Sequence, residues 1–413
     1  MSFYTMRLMI ELILSLHFFL RLRLAFGGGW WQLPVLLWTA LMLAPMLMQG
    51  AGVIPRPLMD ILTQVWPIWL GYLILFFVVS LCFDFLHLGT GLAGSVCGHK
   101  WWSILAGKRT VPVTLVFALL ASFYAYYEAH HPSLVKIEIF TGKMPEGIDT
   151  LRIVQLTDVH LGRFIGLSEL ENMIRLVREA DPDILVVTGD LVDGDMSTRA
   201  KEAALLASIK PRLGTWAVLG NHEKYAGGQN SLDFYQKAGL RLLRGQAGEI
   251  GGLVVAGLDD EVFGDAGNKE PIDKILAKYR DDGRFVLLLK HRPALAPGTG
   301  GLFDLQLSGH THGGQIWPGH LLAQKANGGI LHGLNYQEEN SNRRSASLNP
   351  PDEILHGLTH KPSNKNAVYT SRGAGFWGLP MRFLAPPEVT LIELKRIEAI
   401  SQHQDIASPS ERL

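Results

Sequence analysis

The sequence predicts an α-helical membrane region followed by a layered α/β domain. Three observations predict it. Residues 1–130 hold 11 of the 76 charged side chains, and the remaining 283 residues hold 65. Four apolar stretches follow one another inside that sparsely charged third. From about Pro132 onward, short β-type runs alternate with helical stretches, the pattern of an α/β architecture.

Composition narrows the function classes. A net charge of zero gives no electrostatic footprint for nucleic acid, and none is expected as a partner. Two cysteines, Cys82 and Cys97, exclude a disulfide scaffold and a Cys-rich zinc finger. A hydrophobic content of 47% excludes disorder as the dominant state.

The apolar stretches are Leu8–Leu20, Leu33–Met48, Val65–Phe85 and Val111–Tyr127. A spanning helix needs about 17–25 mostly apolar residues. The third stretch meets that alone. The second and fourth sit near the limit, with Trp30, Trp31, Tyr124, Tyr126 and Tyr127 placed for the interface. The first is interrupted by Glu11 and His17, and no small-residue cleavage site follows it, so it does not read as a removed signal peptide. Glu11, Asp84 and His87 read as snorkelling groups rather than a transport path. Residues 1–131 are therefore expected to form a membrane region of about four helices. Arg21, Arg23, Lys100, Lys108 and Arg109 fall on one side, against Arg7, Arg56 and Lys136 on the other. The positive-inside rule then puts the globular part outside the cytoplasm, on an inner membrane.

In the globular part, Val135–Ile139 alternates as a strand with one exposed face, and Leu151–Leu156 reads as a second strand. Ser168–Ala180 reads as a helix with Ser168 as N-cap and Glu171 completing a capping box. Ile184–Thr188, Thr215–Leu219, Leu253–Leu258, Phe285–Leu289, Asp304–Ser308, Ala367–Thr370 and Val389–Leu394 read as strands. Ala200–Ile209, Leu232–Ala238 and Ile272–Lys278 read as helices. Residues 337–366, rich in Asn, Ser, Pro and charge, read as a loop insertion, and 397–413 as a polar tail. The globular domain is thus expected over 132–396.

The polar residues that carry chemistry follow these strands. Asp158 and His160 follow Leu156, at a spacing that in extended chain points both one way. Asp190 follows Thr188, Asn221 and His222 follow Leu219, His291 follows Leu289, and His310 and His312 follow Ser308. Ligands in α/β sheets gather beyond the carboxyl ends of strands. Oxygen and imidazole donors without thiolate favour Mn, Fe or Zn. Seven ligands exceed one tetrahedral ion but fit two with one carboxylate shared. Two such ions clamp the attacking and leaving oxygens of a displacement at phosphorus, and their bridging water becomes a hydroxide at neutral pH. His222, with a pKa near neutrality beside a ligand, suits proton transfer. Asp193 reads as a partner of the ligands or a loop cap rather than a ligand itself.

The motifs D-x-H, G-D-x-x-D, G-N-H-E and G-H-T-H, in that order with a lone His before the last, resemble the calcineurin-like metallophosphoesterase superfamily. The stretches LRIVQLTDVHLGRF, LGNHEKYAGG and LSGHTHGGQIWPG resemble its membrane-anchored bacterial branch. The resemblance covers about residues 132–396 and implies a four-layer αββα sandwich. It implies Asp158, His160, Asp190 and His312 at a first metal, with Asp190 bridging to a second held by Asn221, His291 and His310. It implies His222 as general acid. Arg163 and Arg372 are candidates to bind a phosphate oxygen. The expected function is hydrolysis of a phosphoester or pyrophosphate bond in a lipid-linked or envelope substrate. The alternative is a membrane sensor or scaffold that binds without turnover. Loss of a ligand would signal that alternative, and none is missing.

Overall fold

In the computed structural model, residues 3–48, 54–97, 109–264, 270–337 and 366–397 are described. They fall into two compact units, Met1–Glu128 with Gly378–Phe383, and Ala129–Trp377 with Leu384–Leu413.

In the first unit all four apolar stretches are helical: α1 Phe3–Phe26, α2 Gln32–Leu47, α3 Arg56–Cys97 and α4 Thr110–Ala129, which runs one residue into the second unit. Among the described residues, Arg56–Leu92 and Thr110–Ala129 are long and apolar enough to cross a membrane, and Gln32–Pro45 is a shorter apolar helix. Leu14, Phe18, Leu22, Leu62, Trp66, Leu73, Phe76 and Ala118 form the shared core. Glu11 does not snorkel. It is fully buried and accepts a hydrogen bond from Trp66 Nε1 at 2.8 Å. Asp84 is exposed and pairs with Arg21.

The second unit holds the remaining elements. In chain order they begin with β1 Ser133–Thr141, β2 Thr150–Leu156, β3 Leu161–Gly162, α5 Leu167–Glu179, β4 Ile184–Thr188, β5 Val192–Asp193, α6 Ala200–Ala207 and β6 Thr215–Val218. Next come α7 Asn221–Tyr225, α8 Gln229–Lys237, β7 Arg241–Leu242, β8 Gln246–Ile250, β9 Leu253–Leu258, α9 Ile272–Ala277 and β10 Val286–Lys290. Then follow β11 Leu305–Ser308, α10 His320–Ala326, β12 Gly333–Gln337, β13 Asn366–Thr370 and β14 Glu388–Arg396. One six-stranded sheet has the order β1-β14-β2-β4-β6-β7, and the other β12-β13-β11-β10-β9-β8.

The strands read as continuous apolar runs because both faces of each sheet are covered. Period-2 alternation sorts their side chains. Ile184, Val186, Val255, Leu287 and Leu289 enter one core together with Ile153, Leu305 and Ile392, so the two sheets face each other. Leu185 and Val187 turn the other way, onto Leu170, Ile174 and Val177 of α5, Leu206 of α6 and Phe234 of α8. Val254, Val286 and Leu288 turn onto Ile272, Ile275 and Leu276 of α9. The layers are helix, sheet, sheet, helix.

Helix α5 begins one residue before the expected Ser168 cap. Its N-cap is Gly166, whose N–H is accepted by Glu169 at 3.0 Å. The short strands β3, β5 and β7 and the five-residue α7 are too brief to leave a periodic signal. The expected insertion 337–366, apart from its end residues, and the tail beyond 397 lie outside the described residues.

Candidate metal centre

Strands β2, β4 and β6 of one sheet run parallel to one another, as do β9, β10, β11 and β13 of the other. Every candidate ligand follows the carboxyl end of one of these strands, and six of the seven come together in two groups, while Asn221 precedes His222, whose backbone N–H reaches Asp190. Asp158, His160 and His312 form one group whose donor atoms lie within 4.8 Å of one another. Asp190, His291 and His310 form another, and His160, Asp193 and His222 a third. Nearly all of them are buried.

Asp190 stands between the first two groups. Its Oδ2 lies 3.8 Å from His160 Nε2 and 3.1 Å from His291 Nε2. Its Oδ1 accepts the His222 backbone N–H at 2.9 Å. Asp158 Oδ1 is 3.4 Å from His312 Nε2, and both Asp158 oxygens accept the His310 N–H.

The backbone does not deliver these side chains as extended chain. Asp158, His160, Asp190, His310 and His312 all have left-handed φ, between 49° and 74°. Among the described residues only three other non-glycine residues do, Asp181, Gln315 and Leu384. Asp and His tolerate this region better than most residues, yet each costs about 1–3 kcal/mol. So Asp158 and His160 converge through tight bends rather than strand alternation. The same bends part His310 from His312, one to each group. Gly220 and Gly309 are needed for close approach. A Cβ at Gly220 would strike the Asp190 carboxylate, and one at Gly309 the Asp158 carboxylate.

Electrostatics match a cation site. Burial, with the charge of nearby His291, brings the His310 pKa down to about 3. Burial brings His160 down to about 4, so both imidazoles keep lone pairs at neutral pH. Burial raises Asp158. Asp190 stays ionised despite burial because His291 faces it, and His291 is raised by the same pair. Imidazole nitrogens face each other at 3.0 Å between His160 and His312 and at 3.2 Å between His310 and His291. Asn221 Oδ1 is buried without a hydrogen-bond partner. Buried polar atoms are seldom left so, and a carbonyl oxygen and converging imidazole nitrogens suit a divalent cation.

His222 lies in α7, and its Nδ1 is 2.9 Å from Asp193 Oδ1. Burial works to lower its pKa, but Asp193 and Asp190 outweigh this and hold it above the ordinary value. Arg163 is exposed on the chain just after His160. Arg372 turns its Nε and Nη2 onto buried Glu388 at 2.7 and 2.6 Å.

One residue escaped the sequence reading. Glu223, fully buried, accepts backbone N–H groups from Asp190, Leu191, Val192 and Gly220, and the Tyr235 hydroxyl. It ties the loop after β4 to the start of α7. Its place as last letter of G-N-H-E was the available signal.

The sequence profile of the calcineurin-like phosphoesterases matches residues 151–314. The chain is 36% identical to an uncharacterized metallophosphoesterase of Aquifex aeolicus, over 68% of this chain and 98% of that protein. It is 31% identical to an uncharacterized metallophosphoesterase of Helicobacter pylori, over 70% of this chain and 71% of that one. It is 29% identical to a transmembrane protein with metallophosphoesterase domain from Danio rerio, over 79% of this chain and 71% of that one. That last match is longer than the second unit alone and so reaches into the N-terminal third.

Proposed function

The chain belongs to the calcineurin-like phosphoesterase family, metal-dependent hydrolases of phosphoesters, and on that footing we propose a membrane-bound enzyme with a two-metal centre. Its substrate is a phosphoester or pyrophosphate that is lipid-linked or belongs to the cell envelope. Residues 1–131 anchor it with about four helices, and 132–396 carry the chemistry. The Lys/Arg balance of the short loops supports an inner-membrane protein with its catalytic domain outside the cytoplasm.

Asp158, His160, Asp190 and His312 would hold one divalent cation, and Asn221, His291 and His310, together with Asp190, would hold a second. The observation that supports this most is the placing of Asp190 Oδ2 within 4 Å of imidazole nitrogens from both groups. When bound, such ions act as Lewis acids at the phosphoryl oxygens and at the attacking and leaving oxygens. His222 gives a proton to the leaving oxygen. Asp193 accepts from Nδ1, which turns Nε2 toward the ligand cluster. Arg163, exposed three residues after His160, is the better candidate for a phosphate oxygen, since the Arg372 guanidinium pairs with Glu388.

The test uses full-length protein in detergent, loaded with Mn²⁺, on lipid phosphates, nucleotide-linked glycolipids and aryl phosphodiesters. Asp190→Asn should abolish turnover and lower bound metal. Retained turnover in the metal-reconstituted variant would overturn the two-metal reading. His222→Ala should keep its metal and lose most on esters of weakly acidic alcohols.

A further inference from the structure

A general acid must touch the leaving oxygen, so the atoms attached to that oxygen lie against whatever surrounds its ring. Around His222 those surroundings include two aromatic rings. Tyr225, three residues on in α7, meets the imidazole at 5.5 Å between centroids and 75°. Trp377 meets it at 5.4 Å and 69°. Tyr225 is 65% exposed and Trp377 39%. Large exposed rings are common at binding surfaces, because they give apolar contact at low entropic cost.

Trp377 is held in place. Its N–H donates to Gln315 Oε1 at 3.0 Å, and Gln315 Nε2 donates to its carbonyl at 2.9 Å. Gln315 follows His312-Gly313-Gly314 and itself has φ 55°. The loop that carries a candidate metal ligand therefore also fixes the backbone that carries the indole beside the proton donor.

We propose that Tyr225 and Trp377 form the leaving-group subsite, that Gln315 positions Trp377, and that the subsite selects phosphoesters whose leaving alcohol is apolar, a hydrocarbon chain or an aromatic ring. The proposal rests on the reading of His222 as proton donor. It adds which side of the scissile bond carries the apolar group.

Hexyl phosphate, 2-phenylethyl phosphate and glycerol 3-phosphate, and their methyl diesters, test it, since all release primary alcohols of similar basicity. Hexyl phosphate is kept below its micelle concentration, and the enzyme is the full chain loaded with Mn²⁺ in detergent. Wild type should favour the two apolar esters by tenfold or more in kcat/KM. Trp377→Ala and Tyr225→Ala should each cut that ratio at least fivefold, through KM, and Trp377→Phe should keep most of it. Gln315→Ala should lower the ratio in the same direction, with Gln315→Glu, which keeps the acceptor for the Trp377 N–H, falling between. The hexyl-to-phenylethyl ratio tells a chain from a ring. Wild-type turnover without preference, or equal losses on all three esters in the ring variants, would overturn the subsite and leave the rings as packing for His222. No turnover of any ester by wild type would overturn the subsite together with the phosphoester half of the proposed function.

Discussion

His222 has two ring nitrogens, and its hydrogen bond to Asp193 decides which one faces the reacting bond. With Nδ1 occupied, the mobile proton sits on Nε2. Asp193→Ala removes that control without removing any of the seven proposed ligands. We expect bound metal within about 20% of wild type and kcat down about 10–100-fold on alkyl esters, within the usual worth of general acid catalysis. The loss on p-nitrophenyl esters should be several-fold smaller, because that leaving group needs little protonation. Steady-state kinetics with metal analysis checks this, and equal losses on both esters would rule the role out. The candidate ligands stood out in the sequence, because Asp, His and Asn at five separate strand ends are a rare inventory. Their conformation was not. Spacing alone suggested extended chain, whereas five of them are left-handed. Nothing in a residue's identity states that its neighbours force its φ positive. Glu223 was hidden for a related reason, since its partners are backbone N–H groups, which every sequence has.

Among the elements, strands buried on both faces were the easiest to read. Ile184–Thr188 and Leu253–Leu258 form strands with the expected bounds, because a short apolar run bounded by turn residues has few other solutions. Helix α7 was missed because five residues cannot show a 3.6 period, and its first turn is specified by the loops that Glu223 ties to it. The junction after β9 carries a prediction of its own. Asp260 is buried there, caps Val262 N–H at 3.1 Å and accepts from Arg292 Nε at 2.7 Å, just past the end of β10. Burial works to raise its pKa, but the Arg292 hydrogen bond prevails and holds it below the ordinary carboxylate range. A depressed folded-state pKa stabilises fully above the unfolded value of about 3.9 and is lost as pH falls through the folded value. Asp260→Asn should therefore cost about 1–2 kcal/mol at pH 7, discounted because Arg292 is partly exposed. The wild-type and variant midpoints should converge as pH falls below about 3.9 and through the depressed folded-state value. Thermal melts in detergent with chelator present, so that metal release does not enter, measure it. A gap that persists unchanged into acid would show that the carboxylate charge is not what Asp260 contributes.

At the scale of the molecule, the charge split marked two parts, and the structure adds a detail that no composition could show. The six residues Gly378–Phe383, far along the second part of the sequence, group with the helical unit. Met381 and Arg382 are buried there, and the Arg382 N–H donates to Ala125 O at 2.8 Å. Met381 lies so close to α3 that a Cβ at Gly71 would meet its sulfur at 2.5 Å. Leu379 packs against the helical core. A chain cut to begin at Ala129 keeps all seven candidate ligands but loses α1, α2 and α3 and nearly all of α4. Leu379 and Met381 then lose their apolar surroundings, and burying side chains of that size is worth about 1.5–3 kcal/mol each. An exposed apolar loop of this kind drives association. We expect the truncated protein to elute as aggregates without detergent, and Leu379→Ser with Met381→Ser to shift it toward monomer. Size-exclusion chromatography with light scattering decides it. A truncated wild-type loop that stays monomeric without detergent would show that Gly378–Phe383 does not need the helices to be covered.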